Sequence, residues 1–101
     1  MNYAYREVLA DTTATANDKV IGVDTANSGG TVFITLPLAG SVRSGFALVI
    51  KDTGGNATSN TIVVSGGDEI DGQGLVSMNI PYASITLMSI SASAGHTWSI
   101  L

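Results

Sequence analysis

Residues 46–56 read Phe46-Ala47-Leu48-Val49-Ile50-Lys51-Asp52-Thr53-Gly54-Gly55-Asn56. Successive side chains of a strand point to opposite faces, so five apolar residues in a row describe a strand that is hydrophobic on both. The Lys-Asp pair and the Gly-Gly turn then end it. Ile62-Val63-Val64 repeats the double-faced pattern. A single sheet in water would leave half of these side chains wet. Two accounts stand: a sandwich or barrel with some apolar overspill, or a second face that meets another copy of the chain.

Outward from this stretch, short apolar or β-branched runs recur roughly every ten residues, each closed by Gly, Asn, Asp or Ser. They predict strands near Tyr3–Leu9, Lys19–Asp24, Thr31–Pro37, Phe46–Asp52, Thr61–Ser65, Leu75–Ile80, Ser84–Ile90 and Thr97–Leu101. No window carries apolar residues at helical spacing free of glycine and β-branched crowding, so helix is not expected. The turn clusters Thr53-Gly54-Gly55-Asn56 and Gly66-Gly67-Asp68 read as hairpin turns. The expected fold is all-β, a small antiparallel β-sandwich or barrel, in one domain over residues 1–101. Its core is expected at Ile34, Leu36, Leu48, Ile50, Ile62, Val64, Met78, Leu87 and Trp98.

Composition limits what such a domain can do. Charged residues make up 12% of the chain and hydrophobic ones 45%, with 12 glycines and no cysteine. Disorder needs the opposite balance. Disulfides and thiolate metal sites are excluded. A domain this small buries barely enough apolar surface to offset its chain entropy, and oligomerisation is the remedy left to it. The four basic residues, Arg6, Lys19, Arg43 and Lys51, are scattered in a chain of net charge -4. Nucleic acid is therefore not an expected partner. Arg6 and Glu7 interrupt the segment where a signal peptide would be apolar, and no run approaches the length of a membrane span. Neither a leader nor a membrane partner is expected.

Candidate chemistry is thin. His96 is the single histidine, and no serine lies in a nucleophile-elbow motif that would partner it. It is expected to cover part of Trp98 or to bond a backbone carbonyl. The acidic turn Asp68-Glu69-Ile70-Asp71 raises calcium, but a complete ligand loop is missing, and a structural turn is the reading taken. The glycine pairs are not followed by the Lys-Ser or Lys-Thr of a phosphate loop. No catalytic residue, cofactor or metal is expected.

In order, Ile34-Thr35-Leu36-Pro37, then Ile50-Lys51-Asp52-Thr53-Gly54-Gly55-Asn56-Ala57, then Asn60-Thr61-Ile62-Val63-Val64, then Gly67-Asp68-Glu69-Ile70-Asp71-Gly72 and finally Trp98-Ser99-Ile100 form a pattern. It resembles a module common in bacteriophage tail-fibre and related virion-surface proteins, over roughly residues 18–101. The resemblance implies a compact all-β homotrimer of the virion, with other capsid or tail proteins as partners and no catalytic machinery. Within it, Asp52 is expected to bond the amides of the Gly54-Gly55 turn, and Ile70 to turn inward. Residues 1–15 fall outside the resemblance and carry Tyr3, Tyr5, Arg6 and Glu7, an expected attachment arm. Capsid decoration is the leading expectation. The alternative is a tail-fibre or fibre-tip module that binds a host cell-surface glycan or protein.

Overall fold

A computed structural model describes residues 4–92 and 95–101. Nine strands are present among them: β1 (Tyr5–Val8), β2 (Thr12–Thr13), β3 (Val20–Val23), β4 (Val32–Thr35), β5 (Ala47–Asp52), β6 (Ile62–Ile70), β7 (Gln73–Met78), β8 (Ser84–Ala92) and β9 (Gly95–Ile100). A short 3-10 turn spans Ala39–Ser41. The protein is all-β, and its strands join into one sheet of order β1-β3-β5-β8-β9-β6-β4-β2, with β7 on the other edge of β6.

The chain visits the two halves of this path in turn. β1, β3 and β5 stack in one half and β2, β4 and β6 in the other, each parallel to the strand laid down before it. This is the winding of a coil: the connections cross between halves, and each new turn of chain adds a rung to the last. The antiparallel expectation is therefore corrected to a mixed sheet. Antiparallel pairing is confined to β5–β8, β6–β7 and β8–β9. The reason is local. Turn residues were read as hairpins, but Thr53-Gly54-Gly55-Asn56 carries the chain from β5 across to β6 in the other half. Gly66-Gly67 is no turn at all, lying inside β6 where its register with β7 shifts between Ser65 and Ile70. A bulge of this kind bends a strand, and it lets Ile70 reach Trp98 of β9 while Ile62–Ser65 pair with β4.

One turn obeys the simplest hairpin rule. Asp71 and Gly72 have φ of 48° and 79°, the pair of positive values a type I′ turn needs and an Asp-Gly sequence supplies. It joins β6 to β7.

The core lies between the two halves. All nine residues expected there are at most 4% exposed, and Val23, Val32, Ile21, Phe46 and Ile70 join them. Trp98 is fully buried, meets Phe46 edge-on at 6.3 Å, and its indole Nε1 donates to the Pro37 carbonyl at 3.1 Å.

The expected attachment arm is not free of this framework. Tyr5–Val8 is strand β1, paired along its whole length with β3. Arg6 occupies a core-facing register, opposite Ile21, and covers the end of the core. Its guanidinium bonds both carboxylate oxygens of Asp18 at 2.9 Å and the Thr13 carbonyl of β2 at 3.1 Å. One side chain thus ties the first rung of each half together. Glu7 accepts a hydrogen bond from the Tyr5 hydroxyl, and Ala14 is in the core. Tyr3 lies outside the described residues. No helix among the described residues is long and apolar enough to cross a membrane.

Candidate functional site

The most organised polar group in the molecule is the Asp52 carboxylate, fully buried at the end of β5. Its Oδ1 accepts from the amides of Gly54 (3.1 Å) and Gly55 (3.0 Å) and from the Thr25 hydroxyl (2.6 Å). Oδ2 accepts from the amides of Ala57 (3.2 Å) and Tyr82 (3.1 Å). The two Gly amides are those expected from the sequence. The other three partners come from the β3–β4 connection, the far side of the β5–β6 connection and the β7–β8 connection, so one carboxylate clasps three crossings. Burial alone pushes the Asp52 carboxyl up. The hydroxyl of Thr25 and the amides of Tyr82, Gly55 and Ala57 outweigh it, and the group sits below the ordinary carboxylate range. Thr25 extends the clasp: its hydroxyl accepts from Asn56 N at 2.7 Å and its carbonyl from Asn60 Nδ2 at 2.8 Å. Every lone pair engaged here serves the fold.

The acidic turn is likewise spoken for. Asp68 Oδ2 accepts from Ala39 N at 2.7 Å, holding the start of the 3-10 turn. Asp71 accepts weakly from Ile100 N, and Ile70 between them is fully buried. The carboxylates diverge instead of converging. No group of three potential metal ligands occurs among the described residues.

Of the two roles expected of His96, a bond to a backbone carbonyl is not made among the described residues. The His96 Nδ1 lies 2.9 Å from the Ser91 hydroxyl across the β8–β9 pair, and its ring packs on Gly40, where an added Cβ would fall 2.8 Å from Cδ2. A serine and a histidine in contact invite the thought of a hydrolase. Both are exposed, however, and no hydrogen bond to a carboxylate orients the ring, so the pair lacks the third member that fixes a nucleophile's base.

Two hollows remain. One, of about 250 Å³, runs between the end of β7 and the start of β8 and is bordered by Val76, Met78, Ile80 and Ile85. The other, of about 370 Å³, is lined by Ala16, Lys19, Ser41, Val42, Arg43 and Phe46. Sequence reading missed the second because its cations are 24 positions apart and meet only through the fold.

The segments that carry the family resemblance meet in space. Pro37 bonds Trp98, Trp98 pairs with Ile70, and the Trp98 carbonyl accepts from Asp71 N at 2.9 Å. Asp52, Gly54, Gly55 and Ala57 form the clasp. No protein-family model matches the chain, and no curated protein is significantly similar to it in sequence.

Proposed function

We propose that the protein is a non-enzymatic structural component of a phage virion, a homotrimer that decorates the capsid exterior. The observation that carries this reading is that the residues bearing the resemblance hold core and crossings together. Support also comes from the outer surface of the half built from β2, β4, β6 and β7. Its outward row of Phe33, Thr35, Val63, Ser65, Leu75 and Ser77 contains no charge, and Phe33 and Leu75 are 48% and 51% exposed. Partly apolar rows of this kind suit contact with another protein surface.

A fibre-tip module that grips a host glycan or protein is the second reading, and the basic hollow at Lys19 and Arg43 favours it. A cryo-electron map of the intact particle separates the two. Trimeric density over the capsid shell is expected; density at the tail tip alone would select the second reading, and no density on the particle would end both.

A further inference from the structure

Two of the four basic residues in this acidic chain open onto one hollow. Neither has a carboxylate for company: the ion pair Arg6–Asp18 is the only one among the described residues. The neighbouring Asp18 cannot serve, since both its oxygens are held by Arg6 and one also takes the Thr15 amide at 2.9 Å.

The site is held in place from below. The Lys19 ammonium lies 4.5 Å from the centre of the Phe46 ring, a cation–π contact that positions the charge without neutralising it. Phe46 itself is 4% exposed and braced against Trp98. Arg43 sits at the first position of a tight turn closed by Phe46 N donating to its carbonyl at 3.0 Å, and that carbonyl also takes the Ser89 hydroxyl at 2.7 Å. The Ser41 hydroxyl donates to the Leu38 carbonyl at 2.7 Å, which leaves its lone pairs free to accept. Ala16 and Val42 give the walls an apolar component.

We propose that this hollow binds one acidic sugar residue, with its carboxylate between Lys19 and Arg43 and a ring hydroxyl donating to Ser41. A guanidinium and an ammonium recognise a carboxylate with charge-assisted bonds. The volume is at the small end for ligand sites, so it takes a single residue. A phosphate would meet the same two cations, and the Ser41 hydroxyl and the apolar walls are what a sugar ring adds to them. The site belongs to one chain and deepens the second, glycan-gripping reading, while its failure would leave the capsid reading intact.

Amide-resolved NMR titration of the full chain with sodium glucuronate tests the proposal, with glucose, inorganic phosphate and sodium chloride at matched ionic strength beside it. Saturable shifts centred on residues 16–19 and 41–46 are expected with glucuronate and not with glucose. Lys19→Gln and Arg43→Gln should each weaken the interaction about tenfold. Arg43 is exposed, so Arg43→Gln should keep the wild-type spectrum elsewhere. Absence of saturable shifts, equal shifts with glucose, tighter binding of phosphate, or undiminished binding by Arg43→Gln would each overturn the assignment.

Discussion

The Asp52 carboxylate joins two amides of its own turn to donors from distant parts of the chain. An Asp followed by two glycines announces an acceptor for their amides, and those two bonds are present. Thr25 and Tyr82, 27 and 30 positions away, carry no mark that they share the same carboxylate. Asp52→Asn replaces one oxygen by an amide that faces backbone donors. About 3 kcal/mol of stability should be lost, since buried donors left unpaired cost roughly 1–3 kcal/mol each. Denaturant unfolding measures it; a loss below about 1 kcal/mol would mean that water or another acceptor replaces the carboxylate.

The same group, with Asp18, should set the acid limit of the fold. The Arg6 guanidinium beside Asp18 holds its carboxyl below the ordinary range against the opposing effect of burial, and Asp52 is depressed as well. Groups whose folded pKa is depressed stabilise above the unfolded value of about 4 and lose that contribution as pH falls through the folded one. The melting temperature should therefore be flat between about pH 7 and pH 5 and fall steeply below about pH 4. Asp52→Asn should flatten the fall. A chain whose acid limit is unchanged by that substitution would place the sensitive proton elsewhere.

Among the elements, strand identity was largely legible and strand partnership was not. Alternation and glycine punctuation mark where a strand runs, and the observed strands follow the expected ones within about two residues, except β2 and β6, which runs on from the expected end at Ser65 to Ile70. Thr12–Thr13 is too short to show a period. Pairing direction depends on whether a connection returns beside its strand or crosses to the other half, and a Gly-Gly pair does not distinguish the two. The crossings are tight. A Cβ on Gly54 would fall 2.4 Å from Ala26 N and 2.6 Å from Thr25 N, both backbone atoms that cannot swing aside. Gly54→Ala should cost about 1–3 kcal/mol by overpacking, whereas Gly74→Ala, which meets nothing within 4 Å, should cost far less. Equal effects would show that the stacked crossings are looser than their spacing implies. Removing residues 1–10 strips β1 and the Arg6 tie from the first rungs. About 2 kcal/mol, or roughly 10 °C in melting temperature, should go with them. A truncated chain of full stability would show that β1 and the Arg6 tie add nothing to the fold.

For the molecule as a whole, what decides function is the surface, where sequence patterns are weakest. Apolar residues on both faces of a strand were legible in Phe46–Ile50. Which face is inside was fixed only by packing: Leu48 and Ile50 are buried, while Ala47 and Val49 stay partly open on the outer side. The exposed Phe33 and Leu75 lie on strands flanking β6 in the other half, within an outward row of uncharged side chains. Neither supports the core, so Phe33→Lys combined with Leu75→Lys should leave each chain folded while placing like charges in any interface built there. Sedimentation at micromolar concentration should show the wild-type protein at three times the 10.3 kDa chain mass, with an interface above ~2,000 Å² as permanent assemblies require. The double substitution should return it to a single folded chain. A wild-type protein that sediments as a stable folded monomer would overturn the trimer outright, and a trimer indifferent to both lysines would move the interface to the opposite face, over Ala47, Val49 and Met88.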